Sequence, residues 1–130
     1  MSFRIGLNQL LRTAPTLMAL QAARVFPTVL PENTPLPATT YQVVGGGQVS
    51  TMNTPGSQRR RVQLDFRAAT DDVADALRDA TIAFLNGFTG AMPNGFIIRN
   101  CQLIQPIDGF DNDARQFRNA AEFYFDFTLP

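Results

Sequence analysis

Apolar residues at Phe3, Leu7, Leu10 and Leu11 recur at the i, i+4, i+7, i+8 spacing of one helical face. The chain is therefore expected to open with a helix from about Phe3 to Arg12, with Ser2 as its N-cap. Pro15 ends or restarts this helix, and Thr16 to Ala23 can form a further short helical turn. Pro27, Pro31, Pro35 and Pro37 then forbid a regular helix from Val25 to Ala38. That stretch reads as an extended surface connection with at most a short edge strand near Val25 to Val29.

The β-branched and aromatic run Thr39 to Val44 predicts a strand that runs into Gly45, Gly46 and Gly47, where its end loosens or bulges. Residues from Gln48 to Gln58 are small and polar, with Pro55-Gly56 as a turn signal. Val62, Leu64 and Phe66 then alternate with Gln63, Asp65 and Arg67, which makes a half-buried strand. The two strands suggest an antiparallel hairpin whose tip, Gly45 to Gln58, is mobile in a free monomer and ordered by a neighbour.

Thr70 before Asp71 and Asp72 is a strong helix start, because the hydroxyl accepts from an orphan amide and the carboxylates favour the positive end of the helix dipole. Val73, Leu77, Ala80 and Phe84 mark its apolar face, Asp75, Arg78 and Asp79 its solvated side, and Asn86-Gly87 its stop. Phe96 to Gln105 reads as another strand, followed by the Asp108-Gly109 turn. Phe123, Phe125, Phe127 and Leu129 alternate with Tyr124, Asp126 and Thr128 in a terminal strand paired with it. The order helix, strand, strand, helix, strand, strand predicts one α+β domain over residues 1–130, an antiparallel or mixed sheet of four to five strands with two main helices packed on one face.

Composition narrows what such a domain can do. The 11 basic residues are all Arg and balance 11 acidic ones. Arg favours planar, multidentate contacts, and a net charge of zero argues against a protein whose main task is coating nucleic acid. No apolar run approaches the roughly 20 residues needed to span a bilayer. The segment Met1 to Gly6 lacks the pattern of a secretory signal, so no membrane or secretory role is expected. A single cysteine, Cys101, gives no internal disulfide and suits a reducing cytoplasm.

Candidate chemistry is sparse. The absence of His removes the commonest general base and transition-metal ligand. Gly45-Gly46-Gly47 lacks the following Lys and the strand-to-helix setting of a phosphate loop. Asp71, Asp72, Asp75 and Asp79 read as a solvated helix face, and Asp108, Asp111 and Asp113 as a turn without the closing Glu of a calcium loop. Cys101 in an apolar strand reads as a buried, inert thiol. No catalytic, cofactor-binding or metal-binding residue is assigned. Arg59-Arg60-Arg61 is the most suggestive charged feature. It either contacts phosphate or an acidic partner, or guards a strand against edge-to-edge aggregation. Together with Gly45, Gly46 and Gly47 it forms the candidate surface for a subunit or partner.

An N-terminal helix, the passage Arg24-Val25-Phe26-Pro27, the strand Tyr41-Gln42-Val43-Val44, the strand-helix unit Arg61 to Leu85 and an aromatic terminal strand from Glu122 to Leu129 follow one another along nearly the whole chain. That order resembles the small tail terminator, or tail completion, proteins of siphophages. The resemblance implies a structural virion protein without cofactors, assembled in the host cytoplasm and placed at the head-tail junction. It implies a homo-oligomeric ring, hexameric in that family, which caps the tail tube protein, ends tube growth and meets the head-tail connector or neck protein, with DNA passing through the lumen. A ring of this kind needs a heterologous interface whose rotation closes. A head-completion or neck protein of the same virion is the nearest alternative. From other classes stand a dimeric α+β barrel enzyme or ligand-binding protein, and a nucleic-acid-binding module centred on Arg59 to Arg61.

Overall fold

The computed structural model of the chain describes residues 3–21, 24–28, 30–31, 33–48, 58–111 and 116–128. The elements in order are α1 (Phe3–Thr13), α2 (Pro15–Gln21), β1 (Val25–Pro27), β2 (Ala38–Gln48), β3 (Gln58–Ala68), α3 (Asp71–Leu85), β4 (Gly90–Ala91), β5 (Ile97–Ile107), β6 (Phe110–Asp111) and β7 (Gln116–Thr128). All strands join one sheet in the order β1-β2-β3-β7-β5-β4, with β6 added to β7. The class is the α+β one expected from sequence. The sheet is mixed because β1 pairs parallel with β2, while every other pairing is antiparallel.

The strand count exceeds the expected four to five, since the described residues form a sheet of seven strands. The four long strands are the four read from sequence, and β1 is the short edge strand allowed there. The pairs β4 and β6 are two residues long each, too short for any alternation to betray them. Part of the expected hairpin tip is also ladder: Gly45, Gly46, Gly47 and Gln48 pair with Arg61, Arg60, Arg59 and Gln58. The expected loosening is a register shift between Val43 and Gly45. The rest of the expected tip, 49–57, lies outside the described residues, as do the proposed cap Ser2 and the end of the second helical turn at 22–23.

The core lies between one face of the sheet and the helices. Strand β7 contributes Phe123, Phe125 and Phe127, and β3 contributes Val62, Leu64 and Phe66, all fully buried against Leu7, Leu11, Leu17, Leu77 and Leu85 from the helices. Each such side chain is worth roughly 1.5–3 kcal/mol of transfer free energy. Phe3 of α1 stacks on Phe127 with centroids 4.4 Å apart and meets Phe125 edge-on at 5.5 Å, which fixes the start of α1 on the end of the sheet. Gly6 lets α1 come close to the turn after β4: a Cβ there would meet the Asn94 side chain and lie 2.7 Å from Met92 Sδ.

Helix α3 sits one residue round from the expected face. Its buried residues are Ala74, Leu77, Thr81 and Leu85, while Val73 is exposed and Ala80 and Phe84 are half-buried. Thr81 tolerates burial because its hydroxyl donates to Leu77 O at 2.9 Å. The expected cap holds, with Val73 N donating to Thr70 Oγ1. Asp75 and Arg78, expected in solvent, are instead drawn onto the sheet. Asn119 Nδ2 donates to Asp75 at 2.5 Å, and Arg78 reaches Asp75, Asp108 and Ile107 O.

Phe125 is fully buried with Phe3 and Phe123 against its ring, so Phe125→Ala should destabilise the fold by about 3–5 kcal/mol. Denaturant unfolding measures this directly, and an unchanged midpoint would show that the β7 aromatic face carries little of the core.

Candidate subunit interface

The candidate glycines and arginines come together in the structure, across the β2–β3 pair. Alternation along β3 splits the arginines between the two faces of the sheet. Arg59 and Arg61 are in register with Asp126 and Tyr124 on the helix-free face, and Arg60 is in register with the buried Phe125 on the helix side. Gly45, Gly46 and Gly47 stand opposite all three, so no β2 side chain flanks the arginines on that strand.

Two of the arginines are held by the terminal strand. Arg59 Nε and Nη2 donate to the two Asp126 carboxylate oxygens at 2.6 and 3.0 Å, and its guanidinium lies 4.8 Å from the Tyr124 ring centre. The hydrogen bond to Asp126 holds the Arg59 guanidinium above its ordinary value, outweighing desolvation. Arg61 Nε and Nη2 donate to Glu122 Oε2 at 2.6 and 2.5 Å, and Gln105 Nε2 adds a hydrogen bond to Oε1 at 3.3 Å. The Glu122 side chain is only 8% exposed, although Arg61 is 40% exposed. Arg118 approaches Asp65 at 3.6 Å on the same face. The helix-free face is thus a lattice of charges paired across adjacent strands.

Arg60 has no carboxylate partner among the described residues. Its guanidinium lies 5.7 Å from the Phe127 ring centre and donates to Arg59 O and Gln58 Oε1. Beside it, β1 covers β2 only from Thr39 to Tyr41, so from Gln42 onward β2 has no second strand among the described residues. The opposite long edge is more closed: Gly87 N donates to Cys101 O and Leu103 N donates to Asn86 Oδ1, both from the turn after α3.

Sequence reasoning named the arginines but missed Glu122, Asp126 and Tyr124. The signal was present, since these three alternate with the phenylalanines of the terminal strand and must share its other face. Other candidate chemistry resolves into structure. Cys101 is buried in register with Phe125, and desolvation, with the nearby Asp126 charge second, pushes its thiol up to about 12, away from nucleophile behaviour. Among the described residues no group of three or more His, Cys, Asp or Glu could hold a metal ion. No helix among them is long and apolar enough to cross a membrane. Asp113 lies outside the described residues.

Residues 6–125 match the family model described as tail completion protein gp17. The chain belongs to this family. It is a structural component of the bacteriophage tail, and as a virion component it works in contact with other tail or head proteins. No curated protein matches the sequence. Among solved structures it is similar to a chain of the "virion of native gene transfer agent (GTA) particle", at 19% identity and a TM-score of 0.70 over 97% of this chain and 94% of that one. At that identity the likeness bears on the fold, which the two chains share nearly end to end.

Arg61→Met leaves the buried Glu122 carboxylate with Gln105 as its remaining described partner, and should cost about 1–2 kcal/mol. Adding Glu122→Gln should recover most of that loss, because the unpaired charge is then gone. Chemical denaturation of the single and double variants checks the coupling, and strictly additive losses would contradict it.

Proposed function

We propose that this chain forms a closed homo-oligomeric ring, hexameric as in the tail terminators it resembles, that caps the tail tube. The ring stops tube growth and presents the surface that meets the head-tail connector or neck protein, at the head-tail junction of a virion assembled in the host cytoplasm. Its work is contact between chains, with no bond made or broken. DNA passes through the lumen.

Membership of the tail completion family over nearly the whole chain carries this reading. The likeness in fold to a chain of a gene transfer agent virion supports it. The physical layout is compatible with head-to-tail contacts, because the two long edges of the sheet differ: one has no second strand beyond Tyr41 among the described residues, and the other is hydrogen-bonded by the turn after α3. A heterologous ring needs such unlike surfaces. Within this reading Gly45, Gly46 and Gly47, with Arg59, Arg60 and Arg61 behind them, form one contact surface. The bare glycine backbone admits close approach and Arg60 brings a cation without a described carboxylate partner.

Native mass measurement and negative-stain imaging of the purified chain test the proposal together. Closed rings of a single stoichiometry, able to seat on the end of purified tail tubes, are the expected result. A discrete dimer that never closes a ring would contradict it and favour the dimeric α+β barrel class.

A further inference from the structure

Among the described residues the exposed large apolar side chains are Ile5, Met18, Leu20, Val44 and Val73. Single exposed apolar residues are ordinary on a protein surface. Here four of the five stand on the helices: Ile5 on α1 at 52% exposure, Met18 and Leu20 on α2 at 48% and 37%, and Val73 on α3 at 41%. The helical layer, whose inner side forms the core, also carries apolar groups on its outer side.

Charge divides that outer side. Helix α1 contains Arg4 and Arg12 and no acidic residue, and both arginines are exposed together with Ile5 and Gln9. Helix α3 exposes Asp72, Ala76, Asp79 and Ala83, at i, i+4, i+7 and i+11, with Val73 beside them. Its one basic residue, Arg78, is turned inward onto Asp75 and Asp108. Asp71 and Asp75 are hydrogen-bonded by Asn119. Among the described residues Arg4, Asp72 and Asp79 have no ion-pair partner, and Arg12 makes only a hydrogen bond to Asn8 at 3.4 Å. One helix therefore presents a large apolar knob beside cations that have no ion-pair partner among the described residues, and the other a low surface of small side chains beside carboxylates in the same state.

The spacings agree. Arg4 and Arg12 are separated by a rise of about 12 Å along α1, and Asp72 and Asp79 by about 10 Å along α3. A contact that runs along α1 past Ile5 and Gln9, against the alanines of α3, can therefore be closed by an ion pair at each end. Helix α2 packs against both α1 and α3, which make no comparable contact with each other, so the two faces are not already joined within one chain.

We propose that copies of this chain meet helix to helix, with the exposed face of α1 on one copy packed against the exposed face of α3 on the next. This contact rests on the ring reading and supplies it with a second, head-to-tail surface away from the β2–β3 hairpin. Two different faces of the same subunit are joined, as a heterologous interface requires.

Charge reversal on each side tests it. Arg4→Glu/Arg12→Glu and Asp72→Arg/Asp79→Arg each place like charges in contact, and each alone should raise the concentration needed for assembly by about tenfold or more, at low salt. Mixing the two variants, or combining all four changes in one chain, should restore assembly, read by native mass and sedimentation. The neutral variant Asp72→Asn/Asp79→Asn, which adds no charge at the start of α3, should weaken assembly in the same direction and to a smaller extent. Circular dichroism and the denaturation midpoint confirm that each variant is folded. Rings that form equally well from every variant would overturn the helix contact while leaving the ring reading intact. Wild-type dimers that obey the charge pattern would keep the contact and overturn the ring. Folded single variants whose mixture stays monomeric, or a wild type that never self-associates, would overturn the contact.

Discussion

The rest of the structure depends on one strand that satisfies two opposite demands. On one side β7 drives Phe123, Phe125 and Phe127 into the core, and on the other it offers Glu122 and Asp126 to the arginines of β3. It is also the strand to which β3, β5 and β6 all pair. Period-two alternation makes the two demands compatible, because neighbouring residues never compete for one face. A slip of one residue would bury carboxylates under the helices and expose three phenyl rings, so burial and charge pairing enforce the same register.

From that strand follows how the surface is divided. On the helix-free face Arg59, Arg61 and Arg118 are matched to Asp126, Glu122 and Asp65, each pair joining a partly exposed guanidinium to a largely buried carboxylate on the neighbouring strand. Such a face has fewer unpaired charges to offer a partner. What remains outward-looking is the edge of β2 beyond Tyr41, Arg60, and the helical layer with its exposed apolar and charged positions. For a member of a tail completion family, this distribution matters more than any pocket: contact surfaces sit on a sheet that pairs these charges within the chain on its helix-free face.

Much of this was legible in the sequence, for identifiable reasons. Phe123, Phe125 and Phe127, and Val62, Leu64 and Phe66, alternate so regularly that their strands and buried faces could be assigned without coordinates. Thr70 announced α3 through capping chemistry that is local to the chain. The face of α3 was harder, because Val73 and Ala74 compete for the same helical stripe and only the sheet beneath decides between them. Strands β4 and β6 carry no periodic signal and exist because longer neighbours offer them an edge. At the candidate site the arginines and glycines were visible as runs. Their partners Asp126 and Glu122 lie more than sixty residues away, and were obscured because pairing across a sheet leaves no fixed spacing in sequence.

The claim that β7 governs the fold is tested most directly by residue-resolved native-state hydrogen exchange on the monomeric chain. The account predicts that the amides of Phe123 to Asp126, with their partners in β3, exchange only through global unfolding, at the free energy found by denaturation, while α2 and β4 open at lower cost. Exchange of the β7 amides through local opening well below the global stability, with the helices still protected, would contradict it.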